Sequence, residues 1–318
     1  MDTAVFTTTL GQMTYLLILI AAGFLIARLK IIPSSAAGIL SKLENILLIP
    51  AFMLGTFMRQ FTVETLSQTG PLLLGSLAVE IVVIAVSIPL SRLCTRDSFL
   101  RRIYLYGLCF SNFGFMGNAV VAAIFPEILP QYLIFVMTLW ILINLWGAPS
   151  LLMGEDAQTK PTVGRRFRSL VNPMFIAMAL GMILGITGAG QVLPSFVTGA
   201  VDGVGACMSP IAMLLTGITI AGIDLKRVFR SGSIYAVSGL RLIIYPLAGI
   251  LIFRFLPLPE TLEICAVCSL AMPLGLNTIV IPSAYGRDPT AAAGMALISH
   301  TLSCVTIPLI FLLLTSWM

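Results

Sequence analysis

Two short stretches hold the densest concentration of chemistry-bearing residues in this chain. One is SNFGFMGNAV, Ser111 to Val120, with Asn112, Gly114, Gly117 and Asn118. The other is AMPLGLNTIVIP, Ala271 to Pro282, with Pro273, Gly275, Asn277 and Thr278. Pro removes a backbone donor and Gly weakens a helix, so both read as interruptions of otherwise apolar helices. Such breaks at membrane depth are tolerated only where the freed groups meet protein, water or ligand. An N-terminal helix end presents unpaired N–H groups and partial positive charge, which suits a carboxylate. Asn112, Asn118, Asn277 and Thr278 can add side-chain hydrogen bonds. The bland reading is that these Gly and Asn residues join packed helices.

Three ionisable residues also fall inside apolar runs: Glu80, Arg241 and His300. Charge at that depth is costly, so each is a functional candidate. Counted from the nearest span ends, Glu80 and Arg241 differ in depth by ~8 Å, within joint reach of two long side chains. Either they pair, or Arg241 binds an anionic substrate directly. His300, the only histidine, is a proton-relay candidate or a hydrogen-bonded structural residue. Glu44 and Asp202 lie nearer span ends and read as hydrated. Cys265 and Cys268 form a CxxC without a second pair or a nearby His, which reads as packing rather than zinc or redox chemistry. No cofactor or metal is expected, and no set of oxygen ligands identifies sodium. There is no HExxH, no nucleophile–base set and no GxxxxGK[ST], which argues against an intramembrane enzyme and a single-chain ATP-driven pump.

The elements that must position these residues follow from composition. Of 318 residues, 58% are hydrophobic and 10% charged, far from the roughly 25% charged residues of a soluble domain. At about 20 apolar residues per spanning helix, the chain has room for about ten. Apolar runs between charged or Pro/Gly-rich breaks fall at 12–29, 40–58, 71–93, 102–126, 129–152, 172–189, 196–223, 233–254, 262–286 and 290–316. QTGP before the third and FPEILP after the fourth read as joints. Residues Met1 to Gly11 contain no Lys or Arg, so the first run reads as a retained helix rather than a cleaved signal. One set of alternating loops holds fifteen Lys and Arg residues and the other only Arg59 and Arg254. The positive-inside rule then places both termini outside and the basic loops in the cytoplasm. The net charge of +5 reflects that asymmetry, and no nucleic-acid partner is expected.

Five spans followed by five invites a search for a repeat. Gly23 and Gly181, Pro50 and Pro210, Pro89 and Pro246, Asn118 and Asn277, and Pro149 and Pro308 are paired at separations of 157 to 160 residues. The expected architecture is an all-α membrane protein of ten transmembrane helices. Residues 1–152 form one five-helix repeat, 153–171 a cytoplasmic loop and 172–318 the second, inverted repeat. Inverted halves are typical of secondary transporters. The pairing also favours a binding role for the two interrupted stretches. GxxxG at Gly181/Gly185 and at Gly199/Gly203 reads as close packing.

SNFGFMGNAV, AMPLGLNTIVIPSAYGRDP and the Asn172-Pro173 pair opening the sixth span resemble the auxin efflux carrier family, over essentially the whole chain. Asn112, Gly114 and Gly117 match its fourth-helix pattern, and Pro273, Asn277, Tyr285 and Gly286 that of its ninth. Ala119 and Thr278 stand where family members carry Pro. The resemblance implies broken fourth and ninth helices that cross at the substrate. It implies a scaffold and dimer contact from helices one, two, six and seven, and a mobile domain from helices three to five and eight to ten that moves elevator-fashion. The absence of a long cytoplasmic loop favours a bacterial, inner-membrane type of protein. The expected function is a secondary carrier of a small organic anion, a mono- or dicarboxylate, working as a homodimer. Its rivals are a sodium-coupled symporter of the bile-acid type and a channel.

Overall fold

In lipid a backbone can satisfy its polar groups only as helices or a closed barrel, and this chain takes the first course. The computed structural model describes residues 2–33, 35–152, 162–168, 170–222, 229–256, 258–275, 277–279 and 290–317. Twelve helices follow one another among the described residues. They are α1 (Asp2–Arg28), α2 (Ala36–Gln60), α3 (Val63–Cys94), α4 (Ser98–Cys109), α5 (Phe113–Ile124) and α6 (Pro126–Leu152). After these come α7 (Val163–Arg168), α8 (Pro173–Ile186), α9 (Ser195–Ala221), α10 (Gly232–Arg254), α11 (Glu260–Ala271) and α12 (Thr290–Trp317). No strand occurs among the described residues. By length and composition, seven of them could cross a membrane: α1, α2, α3, α6, α9, α10 and α12.

The differences from the sequence reading have local causes. The third span begins at Val63, because Thr62 caps it by accepting from the Thr65 amide. Pro71 is carried inside the helix, so QTGP is not a joint. The fourth predicted span is two helices, α4 and α5, joined by an extended Phe110, the bridge residue Ser111 and a bend at Asn112. The ninth is α11, which stops at Ala271 and gives way to an extended Met272. The sixth, α8, has 14 residues, a length of ~21 Å that falls short of a ~30 Å hydrocarbon core. Four helices contain π-helical turns, at Glu44–Leu48, Phe113–Gly117, Ile143–Leu152 and Leu240–Ile244.

Two close helix contacts organise the packing. α1 lies along the second half of α9, and α2 along α8. A Cβ at Gly217 would overlap the backbone of Ile20, and one at Gly23 the backbone of Leu214. At the second contact, a Cβ at Gly185 would lie 2.6 Å from the carbonyl oxygens of Phe57 and Phe61, and one at Gly181 3.0 Å from that of Leu54. The first expected GxxxG is therefore a close packing seam. The second makes no such seam within the described residues of this chain, where Gly199 and Gly203 meet nothing within 4 Å. Asp202 forms an ion pair with Arg59, both side chains nearly half exposed. Glu44, expected to be hydrated, is fully buried, and neither of its carboxylate oxygens has a hydrogen-bond partner among the described residues. Cys265 and Cys268 are buried free thiols, as a packing role requires.

Candidate functional site: a crossing of two interrupted helices

The extended segments after α4 and α11 meet inside the protein. Ser111 and Leu274 form an antiparallel bridge, and the Asn112 amide donates to the Pro273 carbonyl at 2.7 Å. The Ser111 hydroxyl donates to the Ser269 carbonyl at 2.9 Å. A Cβ at Gly275 would stand 3.1 Å from the Ser111 carbonyl oxygen, so Gly allows the two backbones to approach. Gly114 and Gly117 admit large neighbours. A Cβ at Gly114 would sit 2.6 Å from Trp140 Cζ2, and one at Gly117 would overlap Tyr132 Oη. Tyr132 donates to the Phe113 carbonyl at 3.1 Å. Without Pro at position 119 or 278, the break rests on these glycines and on the backbone pairing of the two segments.

Beside the crossing is a pocket of about 20 Å³, lined by the first turn of α5, by Tyr106, Asn112 and Asn277, and by Trp140 of α6. That is room for about one water molecule. Its polar lining is rich in donors. First-turn amides of a helix have no carbonyl of their own helix to bond, and Phe113, Gly114 and Phe115 of α5 lie here. The Trp140 Nε1–H is buried without a partner among the described residues. The Asn277 side-chain amide donates to Tyr106 Oη at 3.1 Å, which leaves the tyrosine its own proton to donate. Asn112 Nδ2 lies 3.0 Å from His300 Nε2, and His300 Nδ1 lies 2.8 Å from the Ala296 carbonyl. A carbonyl can only accept, so Nδ1 carries the proton, Nε2 accepts, and the Asn112 amide is the donor. His300 thus fixes which way that amide faces.

The other expected site residues are placed as follows. Gly114, Gly275, Asn112 and Asn277 line the pocket. Pro273 supplies the carbonyl to Asn112. Thr278 turns inward, its hydroxyl bonded to the Gly275 carbonyl at 2.8 Å. Asn118 is buried in α5, outside the pocket lining, and its Oδ1 has no partner among the described residues. Arg241 is buried and donates to the carbonyls of Leu108, Ser269 and Met272. It forms no ion pair with Glu80, whose Oε1 has no hydrogen-bond partner among the described residues. Pro282, Tyr285 and Gly286 lie outside the described residues.

Sequence reasoning missed Tyr106 and Trp140, which look like ordinary apolar-helix aromatics. The available signal was that a buried indole N–H or phenol needs a partner. Comparison with curated proteins gives no match. The family described as membrane transport protein matches residues 8–163 and 164–311, nearly the whole chain in two halves. By that match, and by the two interrupted stretches that meet here, the chain belongs to the membrane transport family of the auxin efflux carriers.

Proposed function

We propose that this protein is a secondary carrier of a small organic anion, a mono- or dicarboxylate, which binds beside the helix crossing. The observation that carries the reading is the donor-rich pocket. Phe113, Gly114 and Phe115 at the start of α5, Tyr106 and Trp140 line one pocket, and their amide, hydroxyl and indole donors together complement a carboxylate. Ligand pockets usually exceed ~300 Å³, so a guest must part α6 from the crossing to enter.

In this reading the chain forms ten membrane helices in two inverted halves with both termini outside, α4 with α5 counting as one and α11 with its continuation as another. α1, α2, α8 and α9 form the scaffold and the homodimer contact in a bacterial inner membrane. The remaining helices form the body that carries the site across. The two seams, α1 on α9 and α2 on α8, support that division, because they join the halves pairwise through glycine contacts.

Purified protein should be stabilised against heat by a subset of carboxylates. In liposomes preloaded with an unlabelled hit, it should drive saturable uptake of the labelled compound by counterflow. Stabilisation by no carboxylate, or a non-saturating conductance without counterflow, would reject the carrier reading.

A further inference from the structure

The crossing sorts its helix ends by polarity. The N-terminal turn of α5 lines the pocket, while carbonyls at the C-terminal ends of α4 and α11 bond to Arg241. Last-turn carbonyls have no intrahelical partner, and each helix end carries about −0.5 elementary charge. α4 ends at Cys109 and α11 at Ala271. The carbonyls of Leu108, Ser269 and Met272 converge on one side chain, Arg241, through Nη1 at 2.8 Å, Nη2 at 2.9 Å and Nε at 3.4 Å. Arg241 is 1% exposed and stands on the π-helical turn Leu240–Ile244 of α10. The Tyr245 ring lies 5.8 Å from its guanidinium carbon, and Arg241 forms no ion pair among the described residues.

Half-helix C-terminal ends and unwound carbonyls are the groups with which carriers built on broken helices coordinate a driving cation. Here a planar fork bonded to the protein occupies them, and one positive charge matches two half-charges. We infer that the Arg241 guanidinium is a tethered substitute for a bound cation, so that the crossing is assembled without sodium. A tethered charge cannot exchange with the bulk, so a sodium gradient has nothing to act on at this position. The inference rests on the carrier reading for its transport consequence, and on the hydrogen bonds alone for its structural one.

The test uses the purified full-length protein, with sodium and guanidinium ions as probes. Wild-type Tm should not change when choline chloride is replaced by sodium chloride at equal ionic strength, and carboxylate exchange in liposomes should run equally with either. Saturable, sodium-specific stabilisation or sodium-dependent exchange overturns the inference. Arg241→Ala should lower Tm by about 10 °C, and millimolar guanidinium or sodium, but not choline, should recover at least half of that loss. An unchanged Tm, or recovery with neither ion, also overturns it. If R241A does not survive extraction, the wild-type sodium comparison decides alone. If no exchange is found under any condition, the carrier reading fails while the two Tm comparisons still decide the role of Arg241.

Discussion

Trp140 is the most informative residue for substrate affinity, because it combines packing with an unmet hydrogen bond. Its ring meets Phe113 edge-on at 5.2 Å between centroids, while its buried Nε1–H has no partner among the described residues. Trp140→Phe keeps the aromatic contact and removes the donor. A lost hydrogen bond to a charged group costs about 1.5 kcal/mol, so KM in the liposome assay should rise about tenfold with Tm nearly unchanged. An unchanged KM would remove Trp140 from the binding group. At this scale the sequence was only partly legible. Asn112, Gly114, Gly275 and Asn277 stood out because Gly and Asn are conspicuous in an apolar helix, and all four line the pocket. The partners of Arg241 could not be read, because it bonds to backbone carbonyls, and a carbonyl leaves no mark on the residue type that carries it.

Helices supply the next constraint. The interruptions in the fourth and ninth predicted spans were legible because Gly, Pro and Asn act through the local backbone. The start of α3 was not, since a Thr62 cap outweighs a Gly-Pro pair that sits in the first turns of a long helix. GxxxG spacing likewise marks a possible close approach without naming the neighbour. Gly181 and Gly185 have one, and Gly199 and Gly203 do not. The α1–α9 seam is the stricter case, since a side chain at Gly217 meets backbone that cannot rotate away. Gly217→Ala should cost about 3 kcal/mol or more and sharply reduce folded protein recovered from membranes. Gly11→Ala, on the same α1 but with nothing within 4 Å, should behave as wild type. Equal yields would show that the seam is looser than its distances imply.

For the whole molecule, the charge distribution makes the firmest claim. In the topology proposed above, fifteen Lys and Arg residues fall on one set of loops against two on the other, and the positive-inside rule would place both termini outside. A reporter fused after Met318 should therefore be active as alkaline phosphatase and dark as a cytoplasm-dependent fluorescent protein. The opposite pattern would invert the topology and leave the helix crossing untouched. Periodicity and apolar length reveal that the molecule is a helical membrane protein, yet not which helix lies against which. That depends on contacts between residues more than a hundred positions apart, such as Tyr106 with Asn277.

The π-helical turns carry an evolutionary consequence. Each of the five-residue turns, at Glu44–Leu48, Phe113–Gly117 and Leu240–Ile244, holds one residue more than an α-helical path needs, absorbed locally, so losing a residue there returns the helix to regular pitch with both flanks in place. Losing one from a regular stretch swings everything beyond it by about 100°. Leu47, in the Glu44–Leu48 turn, and Ile18, in uninterrupted α1, are both outward-facing at 47% and 61% exposure. Deleting Leu47 should leave a monodisperse protein on size exclusion, while deleting Ile18 should not. These turns are then the places where the family's lengths can drift without scrambling the faces of its helices.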